Sequence, residues 1–124
     1  MDNLSLIATA SDAEAAIAAS EQLPVFIYKH SPICGLSDSA ILQMEAFRKD
    51  AASGFRFYQV DVVGSRRASQ RIEALLGVRH ESPQALLIWK SGCVWHGSHR
   101  AVHADRLRAE ADAFLKSAIY RSAP

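Results

Sequence analysis

The stretch Val25-Phe26-Ile27-Tyr28-Lys29-His30-Ser31-Pro32-Ile33-Cys34-Gly35-Leu36-Ser37 joins a nearly continuous apolar run to a segment with helical periodicity. It predicts a buried strand, a short loop and the first turn of a helix, with Cys34 where that helix begins. Helix N-termini carry unpaired N–H groups and the positive end of the helix dipole, which stabilise a nearby thiolate. At such a position the pKa of a cysteine can fall from about 8.5 to roughly 3.5–7.5. The stretch therefore predicts a reactive cysteine, and the alternative is a cysteine that only fills space.

Length and composition predict a single soluble domain over residues 1–124, because 49% of the residues are hydrophobic and 22% are charged. The formal net charge of +1 and the lack of Lys/Arg runs argue against nucleic acid as a partner. No apolar stretch reaches the ~18 residues of a membrane span, so no membrane partner is expected. The start Met1-Asp2-Asn3-Leu4 lacks the pattern of an export signal. The expected location is the cytoplasm, where a disulfide scaffold is uncommon.

Strand and helix patterns alternate along the chain. They predict strands over residues 4–7, 25–29, 55–62, 84–89 and 94–97, and helices over residues 12–22, 36 to about 53, 68–76 and 105–120. The order β-α-β-α-β-α-β-β-α predicts an α/β fold with a central mixed sheet flanked by helices. Residues 90–93 are expected to form the turn of an antiparallel hairpin at the sheet edge, and residues 121–124 a frayed tail.

Local signals set the ends and faces of the predicted helices. Ser11 and Glu14 match a capping box, which places the start of the first helix at Asp12. Gly77 follows the third helix, where glycine accepts the left-handed backbone conformation that ends a helix. The buried face of the second helix is predicted from residues at three- and four-residue intervals, which are Leu36, Ala40, Met44 and Phe47.

The element order, a cysteine at the start of the second helix and a proline before the fourth strand are similar to the thioredoxin fold. Five segments resemble the monothiol bacilliredoxin family (the YtxJ or BrxC type): Lys29-His30-Ser31, Cys34-x-x-Ser37, Gln59-Val60-Asp61-Val62, Gly77 to Ala85, and Trp95-His96-Gly97-Ser98-His99. The resemblance spans nearly the whole chain, and Arg79-His80-Glu81-Ser82-Pro83-Gln84 is its most specific part. It implies a thiol–disulfide oxidoreductase that removes a small thiol, bacillithiol, from mixed disulfides on client proteins.

Gly35 departs from the pattern of this family, in which a proline is expected at that position. The resulting Cys-Gly-Leu-Ser is similar to the Cys-Gly-Phe-Ser of monothiol glutaredoxins, some of which hold a [2Fe–2S] cluster together with glutathione. An iron–sulfur protein, with Cys34 from two chains and two small thiols as ligands, is therefore the alternative function. A thioredoxin-like interaction protein with an inert cysteine is a third possibility.

The resemblance implies that Cys34 is the nucleophile of a monothiol mechanism. A dithiol enzyme has a second cysteine three residues later, where this chain has Ser37. The Ser37 hydroxyl could lower the pKa of Cys34 by hydrogen bonding to its thiolate. Alternatively, Ser37 is an ordinary polar residue of the first helical turn. In this fold Pro83 lies beside the reactive cysteine, and the strand after it spans on the order of 20 Å before the turn that carries Cys93. A Cys34–Cys93 disulfide is therefore not expected, so the second thiol comes from outside.

Positively charged side chains are expected around the nucleophile. Lys29 and His30 precede the reactive loop and could add positive potential near Cys34. Arg79 or Arg100 could face the carboxylates of an acidic small thiol, although many arginines are only solvated surface residues.

The loop before the fourth strand is expected to position the substrate. The resemblance implies a cis Ser82-Pro83 bond, with the backbone of Ser82 pairing with the client or the small thiol. His99 is expected to help frame the groove. A cluster of Cys34 with His30, His80 and His99 could in principle bind a metal, but the spacings Cys34/His30 and His96/His99/His103 match no zinc signature. No metal and no tightly bound cofactor are therefore predicted, and the small thiol is a co-substrate.

Overall fold

The computed structural model describes residues 5–50 and 54–121. The elements are β1 (Ser5–Ile7), α1 (Ala10–Ala19), β2 (Val25–His30), α2 (Gly35–Asp50), β3 (Arg56–Asp61), α3 (Arg66–Leu76), β4 (Gln84–Trp89), β5 (Gly92–Ser98), a 3-10 turn (His99–Ala101), α4 (Ala104–Lys116) and α5 (Ala118–Arg121). The predicted order of strands and helices is confirmed for the described residues. Leu4 of the predicted first strand, residues 51–53 of the predicted second helix and residues 122–124 of the predicted tail lie outside them.

Strand β2 occupies the centre of a five-stranded sheet with the order β1-β3-β2-β4-β5. It pairs in parallel with β3 and antiparallel with β4, while β5 forms an antiparallel edge beside β4. The predicted mixed sheet with a hairpin at one edge is therefore confirmed. Because β2 and β3 run in parallel and β4 runs antiparallel to β2, the C-terminal ends of β2 and β3 lie at the same end of the sheet as the N-terminal end of β4.

The two faces of the sheet bury separate cores. The even-numbered residues Phe26 and Tyr28 of β2 pack on the side of α2 and α4, whereas the odd-numbered Val25 and Ile27 pack on the side of α1 and α3. Burial of each such side chain stabilises the fold by roughly 1.5–3 kcal/mol. The alternation continues to the end of β2, so neighbouring residues there belong to opposite faces.

The first helix begins earlier than its predicted capping box. The cap is Thr9, whose side chain accepts a hydrogen bond from the backbone N–H of Asp12, while the Asp12 carboxylate accepts one from the backbone of Thr9. Asp12 can replace Glu in this reciprocal arrangement because its oxygen also reaches back to the cap. The prediction of a box from Ser11 and Glu14 is therefore wrong, and Glu14 instead pairs with Arg71 of α3 at 2.9 Å.

The hairpin turn is shorter than predicted. Only Lys90 and Ser91 form it, with φ values of 53° and 66°, as in the two-residue turns whose twist matches that of the flanking strands. Cys93 therefore lies in β5, opposite Ile88 of β4, and not in the turn.

Two helix predictions are corrected by the packing. Leu36 is 42% exposed, and the buried face of α2 begins with Ser37, because Leu36 projects beside the helix start and not onto the sheet. The predicted last helix is interrupted at Ser117, whose extended backbone (φ −75°, ψ 156°) ends α4. None of the described helices combines the length and the apolar character needed to cross a membrane.

Candidate active site

Three loops and the 3-10 turn after β5 meet at the end of the sheet where β2 and β3 end. The Val62 N–H donates to the His30 carbonyl at 2.9 Å, which joins the loops that follow these two strands. The His99 N–H donates to the Pro83 carbonyl at 2.8 Å, which joins the loop before β4 to the turn after β5. The structure thus brings the predicted residues Cys34, Pro83 and His99 to one end of the molecule.

Cys34 directly precedes Gly35, the first residue of α2, and so occupies the helix cap. It is half-buried and forms no disulfide. Its N–H donates to the Ser31 carbonyl at 3.3 Å, and its carbonyl accepts from the Ser37 N–H at 3.0 Å. These two bonds fix the backbone of Cys34 on both sides. The half-buried Cys34 is therefore held at the N-terminal end of α2, which is the positive end of the helix dipole.

Exposed apolar side chains flank the thiol. Ile33 is 83% exposed, and Leu36 is exposed on the other side of Cys34 in sequence. Cys34 therefore has an exposed apolar residue on each side in the sequence.

Ser37, at the position of a second cysteine in dithiol enzymes, is completely buried. Its hydroxyl oxygen accepts a hydrogen bond from the Ser31 N–H at 3.2 Å. The hydroxyl therefore holds the reactive loop against the first turn of α2, and its proton is still available to a second acceptor. A bond from that proton to the Cys34 thiolate stays a prediction.

Tyr28 lies beneath the reactive loop, and the sequence reasoning missed it. Its hydroxyl lies 3.1 Å from His30 Nδ1 and donates to the Ser37 carbonyl at 3.4 Å. Burial raises the pKa of the Tyr28 phenol, and the nearby charges of Cys34 and Asp38 raise it further. A tyrosine inside an apolar strand could have signalled this role, because a buried phenol needs a hydrogen-bond partner.

Lys29 faces away from the reactive loop, toward α3. It is fully buried, and its ammonium donates to Nδ1 of His80 at 3.3 Å. Burial lowers the pKa of Lys29 to about 8, although the charge of Glu73 acts in the opposite direction. Since His80 lies in the loop before Pro83, the contact supports that loop from below.

Hydrogen bonds tie the loop 77–83 to neighbouring elements. The backbone N–H of His80 donates to Glu73 of α3 at 2.8 Å, and the Arg79 carbonyl accepts from the Gln84 amide at 3.1 Å. The Ser82–Pro83 peptide bond is cis. These bonds explain the polar residues His80 and Gln84 of this segment, since each fixes the loop to a neighbouring element.

Glu81 is a further residue that sequence reasoning did not single out. Its carboxylate accepts a hydrogen bond from the Ser98 hydroxyl, which lowers the pKa of Glu81, and lies 3.8 Å from His99 Nδ1. The backbone of His99 is left-handed, with φ 57°. The carboxylate thereby joins the loop before β4 to the end of β5.

The remaining predicted residues are distributed around this end of the molecule. Arg79 and Arg100 are exposed, and Ser82 is half-buried. Within residues 5–50 and 54–121, no three His, Cys, Asp or Glu side chains are grouped in a way that could hold a metal ion.

Solved structures with the same architecture place the chain in a protein class. A protein described by its thioredoxin fold and proposed as an oxidoreductase is 28% identical, with a TM-score of 0.76 over 88% of this chain and 93% of that one. Thioredoxin from Fasciola hepatica is 20% identical, with a TM-score of 0.72 over 88% of this chain and 97% of that one. Thioredoxin from Trypanosoma brucei brucei is 12% identical, with a TM-score of 0.76 over 94% of each chain. The fold and the site therefore define a thioredoxin-like protein of the thiol redox class.

A comparison with protein families is more specific. The model of the monothiol bacilliredoxin BrxC matches residues 5–107. The chain belongs to the monothiol bacilliredoxin family, and the resemblance inferred from its motifs is confirmed.

Gly35 allows a test of the helix start beside Cys34. A Cβ added to Gly35 would meet no atom within 4 Å, and proline is favoured at the first position of a helix. We expect Gly35→Pro to raise the free energy of unfolding by about 0.4–1 kcal/mol, because it restricts the unfolded chain. Urea unfolding followed by circular dichroism measures this change.

Gly77→Pro is the matched control. Gly77 has a φ of 69° and donates its N–H to the Glu73 carbonyl, so the same substitution should destabilise the protein. A loss of stability in Gly35→Pro would mean that the Gly35 N–H or a non-helical backbone at this residue is needed.

Proposed function

We propose that the protein is a monothiol oxidoreductase that removes bacillithiol, or a similar low-molecular-weight thiol, from mixed disulfides on client proteins. The observation that carries the proposal is the position of Cys34. It is half-buried at the cap of α2 with the buried Ser37 where a dithiol enzyme has its second cysteine. The family and the fold support the thiol redox class, and this local arrangement favours the monothiol version of the chemistry.

The proposed reaction has two exchange steps. The Cys34 thiolate attacks the sulfur that the small thiol contributes to the client disulfide. A disulfide between Cys34 and the small thiol forms, the original disulfide breaks, and the client leaves as a thiolate that takes a proton from solvent. A second molecule of the small thiol, as its thiolate, then attacks this new disulfide, which releases the symmetrical small-molecule disulfide and regenerates the Cys34 thiolate.

The surrounding residues have proposed roles in binding and activation. The backbone of Ser82, before Pro83, pairs with the extended backbone of the client or with the small thiol. His30 contributes positive potential on the α2 side when it is protonated, and Lys29 supports the loop from the other side through His80. The same binding set includes Arg79 as a counter-charge, His99 as a wall of the groove and Ser37 as a hydrogen-bond donor to the thiolate.

Mass spectrometry after acid quenching tests the proposal. The reduced protein is mixed with a purified client that carries one bacillithiolated cysteine, and samples are quenched over time. We expect free client to appear together with an equal amount of protein carrying bacillithiol on Cys34, while Cys93 stays unmodified. Added bacillithiol should then remove the adduct and restore the free thiol.

Two results would contradict the proposal. Client release without an adduct on Cys34 would mean that another group performs the exchange. A protein that releases no client, but develops visible absorbance after anaerobic iron–sulfur reconstitution and loses it in Cys34→Ser, would instead favour cluster binding.

A further inference from the structure

A surface cavity of about 380 Å³ lies on the α3 side of the end of β2. It is formed by the loop after β3, by α3 and by the loop before β4, and its lining residues are Val62, Val63, Arg66, Ser69, Gln70, Glu73 and His80. Val62 donates its N–H to the carbonyl of His30, four residues before Cys34. Because hydrogen-bonded strands lie roughly 5 Å apart, the cavity begins beside the strand that carries the reactive loop.

A buried polar layer lies next to this cavity. Lys29 and Gln84 are cross-strand partners, and both are almost completely inaccessible to solvent. The Lys29 ammonium bonds to the ring of the cavity residue His80, and Gln84 Oε1 has no hydrogen-bond partner among the described residues. Burying a lysine is costly unless it is paired, so a cation retained at this place points to a function for the adjoining space.

The bond from Lys29 also sets the chemistry of His80. An ammonium can only donate, so Nδ1 of His80 accepts, and a neutral ring then carries its proton on Nε2. Ser69 lies 3.4 Å from the same Nδ1 atom. The pKa of His80 is lowered by burial and by the charge of Lys29, which favours this neutral form. His80 is therefore prepared to donate one hydrogen bond from Nε2.

The charges of the lining favour an anion. The one carboxylate among the lining residues, Glu73, already accepts a hydrogen bond from the His80 backbone N–H. Arg66 lies in the first turn of α3, which carries no acidic residue. The Lys29 ammonium behind His80 adds positive potential. The Asp61 carboxylate beside the cavity is already engaged by the N–H groups of Val63 and Gly64, so the Arg66 guanidinium is the lining charge left for a ligand.

We propose that this cavity binds the carboxylate-bearing end of the low-molecular-weight thiol whose sulfur reacts at Cys34. The inference rests on the proposed function and names the part of the molecule that selects the small thiol. Arg66 is the counter-ion of the carboxylate, and Gln70 and His80 donate hydrogen bonds to it. Val62 and Val63 cover the carbon skeleton of the ligand.

Charge-selective kinetics test the inference. Arg66→Ala is compared with the wild type in the second exchange step, which starts from Cys34 carrying 2-mercaptoethanol so that the cavity is free for the incoming thiol. The incoming thiol is either bacillithiol, which is acidic, or 2-mercaptoethanol, which is neutral. We expect the KM for bacillithiol to rise about tenfold, the equivalent of one charge-assisted hydrogen bond, while the rate constant with 2-mercaptoethanol is unchanged. Arg66→Lys, which keeps the charge, should recover part of the loss.

Arg67→Ala is the matched control, because Arg67 is the next residue of the same helical turn, is also exposed and does not line the cavity. Arg67→Ala should leave the KM for bacillithiol and the rate constant with 2-mercaptoethanol unchanged. Equal effects of Arg66→Ala and Arg67→Ala, or equal effects of Arg66→Ala on both thiols, would overturn the inference. A rise in the KM for bacillithiol that occurs only in Arg79→Ala would place the carboxylate site at the loop before β4 and would also overturn the inference.

A failure of this inference can be distinguished from a failure of the proposed function. If the wild type exchanges both thiols through Cys34 and Arg66→Ala has the same KM for bacillithiol as the wild type, only the cavity assignment is wrong. If the wild type exchanges neither thiol, the proposed function itself is wrong. Binding without turnover gives an independent readout: bacillithiol disulfide added to Cys34→Ser should shift the nuclear magnetic resonance signals of Gln70 and His80, and no shift there would count against the site.

Discussion

Cys34→Ser is expected to reduce the release of the small thiol from a client to the rate of the uncatalysed exchange. A serine hydroxyl is not ionised at neutral pH, and nothing in the first turn of α2 replaces the thiolate as nucleophile. In contrast, Cys93→Ser should retain the wild-type rate within about twofold, as expected for a substitution away from the site. Release of the client, followed by mass spectrometry, measures both variants.

The position of Cys93 explains why its loss should have so little effect. It lies opposite Ile88 of β4, five residues beyond Pro83, and this length of strand is roughly 17 Å. A disulfide needs Cα atoms within about 7 Å of each other. The Cys93 thiol also donates to the Trp95 carbonyl at 3.2 Å, and burial raises its pKa, so it is a poor nucleophile.

Equal losses in the two variants would point to a mechanism with two cysteines and would contradict the monothiol proposal. Circular dichroism spectra that match the wild type exclude misfolding as the cause of any loss. A Cys34→Ser protein that still released the client at the wild-type rate would leave Cys34 without a role in the exchange.

The elements that could be predicted from sequence have signals contained within a few neighbouring residues. The run 25–28 predicts a strand covered on both sides because it has no charged residue. Gly77 predicts the end of α3 because glycine accepts the left-handed backbone that ends a helix, and in the structure its φ is 69°. The same absence of alternation hides which face each residue of β2 occupies. The strand period places Lys29 and His30 on opposite faces, but the sequence could not tell which of them faces α3. In the structure Lys29 faces α3, and His30 contacts Tyr28 on the other side.

The contacts that shape the candidate site join residues far apart in the chain. Lys29 and His80 are separated by 51 positions, and Glu81 and Ser98 by 17. No local periodicity encodes such pairs, since they depend on how β4 is placed between β2 and β5. The family motif indicated that residues 79–84 matter, but only the folded arrangement assigns partners to His80, Glu81 and Gln84.

Lys29→Met is expected to remove a pH dependence of stability that is present in the wild type. Folding lowers the pKa of Lys29 from 10.5 to about 8. Below pH 8 the side chain is charged in both states, so the folded protein carries the full cost of burying the charge. Between pH 8 and 10.5 the unfolded chain binds more protons, so stability rises with pH, and above this window the cost is absent. The shift corresponds to a rise of up to about 3 kcal/mol.

Urea unfolding of both proteins between pH 7 and 11 measures this contribution, because ionisations common to both cancel in the difference. Near pH 7, Lys29→Met should be more stable than the wild type by about 1 kcal/mol or more, since an apolar side chain of similar volume replaces a buried charge. The lost bond to His80 offsets part of this gain. Lys49→Met, which removes an exposed lysine of α2, should keep the pH dependence of the wild type. If the free energies of unfolding of Lys29→Met and the wild type changed in parallel between pH 8 and 10.5, the Lys29 ammonium would be solvated in the folded protein. The polar layer beside the cavity would then contain no buried cation.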